Sequence, residues 1–316
     1  MAILTKQKIA VYYDLFKSIN VTFSKEIIQV TGLITNQVYL KCVGDFWPCV
    51  ISSTSFQNAK VVVNVKSGIL QKLERANNIV SLRFCFRETD KGNPVAFFVN
   101  TKFTGSSSYG GSEDVALFNL QFTQRPPDDL IEIVGRILDA NVNSTKRREE
   151  RVLITPDSQR KLNLTKESSI FIQGVPRHCI IRDMSFSGAK IIMMGVGKFL
   201  VEKEAVLRLE FEDPRESFLL KGKFLRSEVV EGRKGLVSLV LLFEENIVPM
   251  GYKIRVNDFL SQLRPDNRNQ VEVQENKPAQ PPAAKAAPPK PEPVEAAPPP
   301  KAGPQAADAG GFDLNL

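Results

Sequence analysis

The chain has 316 residues, of which 42% are hydrophobic, and it carries a formal net charge of +7. This length suits two modest domains plus additional sequence, and no apolar run reaches the roughly eighteen residues that a membrane-spanning helix requires. The single histidine excludes metal sites with two imidazole ligands, and four cysteines without a CxxC pair indicate reduced thiols rather than structural zinc. We therefore expect a cytoplasmic protein that is not an enzyme, with no catalytic residue, metal or cofactor.

The first 140 residues predict a small β domain. Short β-like runs separated by turn residues occupy residues 27–34, 38–43, 50–53, 60–65, 79–87, 94–103 and 115–123. Seven short strands suggest a barrel or a sandwich. The Gly/Ser-rich stretch 105–112 is predicted to be a flexible loop, and no phosphate-loop lysine follows it.

In residues 82–87, apolar side chains at every second position alternate with Arg83, Cys85 and Arg87. Such a strand would present arginines on one face and aromatic side chains on the other, an arrangement that can bind single-stranded nucleic acid. The more common use of this pattern is a half-buried strand with one solvated face. We therefore favour the half-buried strand.

A helix is predicted after this β domain. Pro127 and the aspartates behind it mark its start. Apolar side chains then recur on one stripe, at Leu130, Ile131, Val134, Ile137 and Leu138. A polar connector, residues 141–145, follows the helix, so we predict an interdomain linker over residues 141–151.

The linker contains an RxxxR motif. Arg147 and Arg151 stand at its ends, and Arg148 lies between them. Guanidinium groups match phosphate oxygens, and they also match the O6 and N7 acceptors of guanine bidentately. On an extended segment the two end arginines lie roughly 13 Å apart, so the linker could contact a ligand from more than one side.

Residues 152–265 predict a second β domain. Its predicted strands are 161–164, 169–172, 178–183, 189–193, 205–211, 218–227 and 236–243. A terminal helix is predicted to begin at Pro249 and to end at Leu263.

A DxSxxG motif lies between two of these strands, about thirty residues after the arginines. Asp183 supplies an acceptor for the N1–H and N2–H donors of guanine, and Ser185 supplies a hydroxyl that assists it. Gly188 permits a tight turn and a close approach of the backbone to a ligand. Each motif alone is ordinary turn or charge chemistry, so neither by itself identifies a ligand.

Together the two motifs resemble the signature of the PilZ family, which binds the bacterial second messenger cyclic di-GMP. The resemblance implies a six-stranded antiparallel barrel with a terminal helix for the second domain. The implied ligand site comprises Arg147, Arg148, Arg151, Asp183, Ser185 and Gly188. The preceding β domain and helix resemble the N-terminal PilZ-like domain of two-domain members, including those of spirochaetes. The implied fold class is mainly β, with two small antiparallel barrels at residues 1–140 and 152–265.

Residues 266–316 differ completely in composition, with eleven prolines and eleven alanines. Such a segment buries too little apolar surface to fold, so we predict a disordered tail. Its apolar and acidic tip, residues 312–316, suits a docking peptide, and an inert terminus is the alternative. The 265 residues before the tail carry a net charge of +9, which suits a phosphate-bearing ligand or nucleic acid.

The resemblance implies a receptor for cyclic di-GMP. Because the arginines lie on the connector, ligand capture would fix the angle between the two domains. The interdomain surface or the tail would then signal to a downstream protein in motility or envelope control. Two alternatives remain open, a basic nucleic-acid-binding module and a PilZ adaptor that needs no ligand.

Overall fold

The computed structural model of the chain describes residues 6–87 and 94–263, and the predictions for the tail lie outside these residues. Two closed six-stranded antiparallel barrels make up most of this part of the chain, which confirms the mainly β fold class. Closure leaves no unpaired strand edge within either ring.

The first sheet contains the seven strands found in residues 6–87 and 94–146, and six of them form the barrel. They are β1 (Val21–Thr22), β2 (Tyr39–Cys42), β3 (Asp45–Thr54), β4 (Asn58–Asn64), β5 (Ile79–Arg87), β6 (Pro94–Tyr109) and β7 (Ser112–Phe122). The ring runs β3-β2-β5-β6-β7-β4 and closes where β4 pairs with β3, while β1 pairs with β3 outside the ring. Every run predicted from residue 38 onward in this half coincides with a strand.

Four helices accompany this barrel in the described residues. They are α1 (Lys6–Phe16), α2 (Lys25–Thr31), α3 (Ile69–Arg75) and α4 (Asp128–Lys146), and a short 3-10 turn spans Thr35–Gln37. The predicted stripe of α4 is buried, which confirms the helix and its apolar face. The helix continues to Lys146, so the first residues of the expected linker are helical.

The second barrel contains the remaining seven strands. They are β8 (Val152–Leu153), β9 (Ser168–Ile172), β10 (Val175–Met184), β11 (Gly188–Met194), β12 (Glu204–Phe211), β13 (Glu216–Val229) and β14 (Leu236–Phe243). The ring runs β11-β14-β13-β12-β9-β10 and closes where β10 pairs with β11. Its helices are α5 (Pro156–Leu162), α6 (Gly197–Leu200) and the predicted terminal helix α7 (Met250–Leu263), with a 3-10 turn at Glu245–Ile247.

Two predicted strands are wrong, because capping residues start helices there instead. Residues 27–34 include α2, where the Ser24 hydroxyl accepts a hydrogen bond from the Ile27 N–H at 3.3 Å. Residues 161–164 overlap the end of α5, which begins with a reciprocal capping box between Thr155 and Ser158. A capped first turn satisfies orphan N–H groups, and this local gain prevails over β propensity.

The stretch 105–112 is also not a loop. Strand β6 extends to Tyr109, pairs with β7, and turns only at Gly110 and Gly111. Both glycines have positive φ values, 62° and 73°, a conformation that favours glycine in tight hairpins. The serines therefore lie on a hairpin rather than in an unstructured segment.

Helices α4 and α7 join the two barrels. Tyr252 and Val256 of α7 belong to the core of the second barrel, whereas Ile254 packs into the core of the first. Between the helices, the Asn143 side-chain amide donates to Asn257 at 2.8 Å, and that of Asn257 donates to Asp139 at 2.9 Å. These buried polar groups satisfy one another, as burial requires. No helix among the described residues is long and apolar enough to cross a membrane.

Candidate functional site

The structure brings the two motifs together. Strand β8 begins directly after Arg151 and pairs with β10, so that Leu153 faces Asp183 across the ladder. The arginine-bearing linker therefore runs beside the turn that follows β10. The Arg151 guanidinium donates from Nη1 to Asp183 Oδ1 at 2.6 Å. Residues 32 positions apart thus form one site.

The DxSxxG turn is held by Ser185. Its hydroxyl oxygen accepts hydrogen bonds from the N–H groups of Ser187 at 3.3 Å and Gly188 at 3.2 Å. The Ser185 N–H donates to the Gly188 carbonyl at 2.8 Å, which closes the turn. Because Ser185 is fully buried, its hydroxyl shapes the turn between β10 and β11.

Gly188 has a packing role in the barrel wall. It opens β11 and pairs with Leu242 of β14. A Cβ atom at this position would lie 2.5 Å from the Leu241 carbonyl oxygen. The φ angle of Gly188 is not positive, so backbone conformation does not require glycine here. Glycine is required because two strands approach closely at this position. Gly188 also takes part in the turn with Ser185, and its close approach to a ligand stays a prediction.

The other two arginines lie at the end of α4. The Arg147 N–H donates to the Asn143 carbonyl at 2.8 Å and so ends the helix, and its side chain is half-buried. No hydrogen bond or ion pair of the Arg147 side chain is found within residues 6–87 and 94–263. Arg148 donates from Nη1 to Glu245 Oε2 at 2.8 Å. Its guanidinium is therefore balanced by a carboxylate of the second barrel.

Sequence reasoning missed two residues of this site. The Ser187 hydroxyl lies 3.2 Å from the Arg148 carbonyl oxygen and 3.0 Å from Glu149 Oε1, so it fastens the turn to the linker. The Tyr252 hydroxyl donates to the Ser185 carbonyl at 2.7 Å. Burial raises the pKa of Tyr252, which keeps this hydroxyl protonated as a donor. Ser187 stands inside the motif and could have been noticed, whereas Tyr252 acts across 67 positions.

The first barrel contains a turn with the same hydrogen-bond pattern as the β10–β11 turn, but without the charged side chains. The Ser55 hydroxyl accepts from the N–H groups of Gln57 and Asn58, both at 3.1 Å. Thr22 pairs with Ser53 in the way that Leu153 pairs with Asp183. The acid is thus replaced by Ser53, and the residue two positions before Thr22, where Arg151 would stand, is Asn20. The first barrel therefore lacks the arginine and carboxylate pair.

The geometry supports the recognition of an anionic guanine ligand. The Arg151 guanidinium and the Asp183 carboxylate lie together at the β10–β11 turn, and the Arg151 side chain remains 37% exposed. Arginine forks suit phosphate and guanine acceptors, and the carboxylate suits guanine donors. Within the described part of the chain, no group of three or more His, Cys, Asp or Glu side chains could hold a metal ion.

Known proteins resemble this chain over most of its length. Residues 7–141 match the PilZN3 domain. A cyclic di-GMP binding protein of Treponema denticola is 45% identical over 266 residues, which cover 84% of this chain and 85% of the relative.

Two crystal structures of complexes with c-di-GMP also match. The Borreliella burgdorferi PlzA protein is 24% identical, with 81% of this chain and 99% of that chain covered and a TM-score of 0.37. YcgR from Escherichia coli is 12% identical, with 78% and 92% covered and a TM-score of 0.27. Both TM-scores are low, so the family of this chain is shown by the Treponema denticola relative and not by these two structures. The chain belongs to the family of two-domain PilZ proteins, in which a PilZN3 domain precedes a PilZ barrel.

Proposed function

We propose that this protein is a receptor for cyclic di-GMP, which it binds where the arginine linker meets the β10–β11 turn. The observation that carries the proposal is the 2.6 Å contact between Arg151 and Asp183, which unites the two motifs. The name of the Treponema denticola relative supports the same ligand. The site needs no cofactor and no catalytic group, so we infer a binding function and no enzymatic one.

The residues have distinct roles in this proposal. Arg147, Arg148 and Arg151 bind phosphate oxygens and the O6 and N7 edge of guanine. Asp183 accepts from the N1–H and N2–H donors of guanine. The buried Ser185 and the tightly packed Gly188 hold the turn in position. We propose that Arg148 exchanges Glu245 for a phosphate of the ligand.

Titration calorimetry with cyclic di-GMP tests the site. We expect Arg151→Ala and Arg147→Ala to abolish measurable binding, because each removes a charged fork that the other arginines cannot replace. Arg147→Ala should unfold at the wild-type temperature, since this side chain is only half-buried. Arg151→Ala leaves the Asp183 carboxylate without its partner and should unfold at a lower temperature, so its titration is carried out below that temperature. Arg160→Ala is the matched control, because this arginine lies on α5 with 80% of its side chain exposed.

The outcome of the titration is decisive for the proposal. Arg151→Ala binding cyclic di-GMP like the wild type would place the ligand elsewhere. If the wild-type protein bound no cyclic di-GMP, the proposed function would be wrong, and the alternative of a PilZ adaptor that needs no ligand would remain.

We further propose that the ligand changes how the two domains, residues 1–140 and 152–265, are arranged. Three features of the structure support this coupling. The linker continues α4, α4 packs against α7, and Tyr252 of α7 donates to the ligand-binding turn. A ligand shifts such an arrangement only if it binds one state better, and an arginine that exchanges partners supplies that difference.

Small-angle X-ray scattering and hydrogen exchange test the coupling. We expect cyclic di-GMP to change the radius of gyration and the exchange protection of α4 and α7. The Arg151→Ala variant should show neither change. Superimposable scattering curves together with unchanged protection would contradict the coupling.

The output that we propose is a changed surface for a downstream protein in motility or envelope control. The contact would use the interdomain surface or the tail. Cytoplasmic action is supported by Cys42, Cys49, Cys85 and Cys179, which are buried free thiols. Deleting residues 312–316 should remove a partner from pulldowns, and an unchanged set of partners would exclude the tip as the docking peptide.

A further inference from the structure

An exposed aromatic and basic surface covers one side of the first barrel, on strands β2, β3, β5 and β6. We call it the aromatic-basic face, and its members are Tyr39, Lys41, Phe46, Arg83 and Phe98. Cross-strand register places them side by side: Arg83 faces both Tyr39 and Phe98, and Lys41 faces Phe46. The side chain of Phe46 is 68% exposed and that of Phe98 is 43% exposed, which is unusual for phenylalanine on a barrel exterior.

The face is held in a fixed arrangement. The Tyr39 ring lies 5.8 Å from that of Phe46 and 6.1 Å from that of Phe98, measured between centroids. The Arg83 guanidinium lies 5.3 Å from the Tyr39 ring and donates to the Gln37 carbonyl at 2.7 Å. These contacts restrict the rotamers, so a ligand would meet a preformed surface.

The charge of this face is positive. Strands β2, β5 and β6 contain no aspartate or glutamate, and Asp45 at the start of β3 is paired with Lys72 at 2.7 Å. Neither Lys41 nor Arg83 has a carboxylate partner in the described ranges. The corresponding strand of the second barrel, β12, instead carries two glutamates, and its Arg208 is paired with Glu210. Exposed rings and uncompensated cations therefore occur together on the first barrel.

We propose that the aromatic-basic face binds single-stranded nucleic acid. Every base has a π face that can stack on an exposed ring, and the cations attract the phosphate backbone. A duplex keeps its bases stacked internally, so it cannot use the rings. This function goes beyond the cyclic di-GMP site and shares no residue with it. Strand β5 alone would not suffice, because its own aromatic side chains, Phe84 and Phe86, are buried.

Fluorescence anisotropy with the full-length protein tests the proposal. The probes are a labelled oligothymidylate and an oligouridylate of about 20 nucleotides, with a duplex of equal length for comparison. We expect Phe46→Ala and Phe98→Ala each to weaken single-strand binding about tenfold. Lys41→Gln should lower the salt slope of binding by about 0.7, the loss of one phosphate contact.

Phe199→Ala is the matched control, because this phenylalanine is 67% exposed on the second barrel with Lys198 5.0 Å from its ring. It should bind like the wild type. Thermal unfolding should show that every variant remains folded.

Three results would overturn the proposal. One is wild-type affinity in both Phe46→Ala and Phe98→Ala. Another is duplex binding as tight as single-strand binding, or no binding at low salt. The third is a wild-type dimer that Phe46→Ala dissociates without any effect on the oligonucleotide, since the face would then join two copies of the chain.

Discussion

We propose that guanine selectivity depends on Asp183. Its side chain is 11% exposed, and the Arg151 guanidinium compensates its negative charge. A buried carboxylate without such a partner would be strongly destabilising. The pair therefore both maintains the fold and fixes the acceptor in place for a ligand with N–H donors.

We expect Asp183→Ala to weaken guanine selectivity more than general anion affinity. The arginine side chains remain, so phosphate binding persists. The acceptor for the guanine N–H donors is lost, which costs about 1.5–3 kcal/mol of binding free energy per charged hydrogen bond. Calorimetry with cyclic di-GMP and cyclic di-AMP measures the affinity ratio, which should fall at least tenfold. Asp157→Ala, on α5, is the control. An unchanged ratio would show that guanine is recognised by other groups.

Tyr252 connects α7 to the β10–β11 turn through one hydrogen bond. Tyr252→Phe leaves the buried Ser185 carbonyl without this donor, so the free energy of unfolding should fall by about 1–3 kcal/mol. Urea denaturation measures the change, and cyclic di-GMP affinity should fall with it because the turn is less fixed. Tyr109→Phe, at a ring that is 49% exposed, should have no effect. Equal stability of the two variants would remove Tyr252 from the support of the site.

At the scale of elements, strand packing in the second barrel requires glycine at the last position of the DxSxxG motif. Strands β11 and β14 approach so closely at Gly188 that a side chain would strike the Leu241 carbonyl. The clash would be between the new Cβ atom and a backbone oxygen of the neighbouring strand, so it cannot relax by a rotamer change. A residue of the family signature is thus explained by strand packing.

We expect Gly188→Ala to destabilise the fold by more than Gly174→Ala. Gly174 has a φ of 80° with open space around it, so alanine there costs only about 1 kcal/mol of backbone strain. Gly188→Ala adds a steric clash at 2.5 Å that the strands must move to relieve. Thermal unfolding of both variants measures the difference. Equal melting temperatures would contradict the packing role.

At the scale of the whole molecule, the α4–α7 seam makes the two barrels one unit. Arg136 of α4 pairs with Asp258 of α7 at 2.7 Å beside the buried asparagine network. The carboxylate of Glu26, on α2, accepts from the N–H of Met250 and caps α7 from the other half of the chain. The seam therefore connects the linker helix to both cores.

Buried thiols make the stability of the molecule dependent on alkaline pH. Burial raises the pKa of Cys49 and of Cys179 to about 12 each. Below about pH 8.5 these thiols are neutral in both the folded and the unfolded protein. Above that pH the thiols of the unfolded protein ionise first, because their pKa is lower. The free energy of unfolding should therefore fall as the pH rises, by about 2 kcal/mol per thiol at pH 10.

Urea denaturation at pH 8 and at pH 10 measures this loss. The Cys49→Ala, Cys179→Ala double variant is the control and should lose correspondingly less. An identical pH dependence in both proteins would contradict the burial of these thiols.

The sequence predicted most strands because apolar alternation is a local property, and it predicted α4 from Pro127 and the buried stripe. It was wrong at α2 and α5, where Ser24 and Thr155 cap helices in segments with β-like composition. The repeated turn at Ser55 was visible in the sequence but was not used. The partners of the arginines, Glu245 among them, could not be predicted, because these contacts join residues far apart in the chain.

By itself, the sequence determined the class of fold and the residue types that suit an anionic guanine ligand, because strand periodicity and side-chain chemistry are local properties. Only the tertiary structure decided that Arg151 lies against Asp183 and that the aromatic-basic face is assembled from four strands. Both depend on strand register, which barrel closure sets through pairing between distant segments.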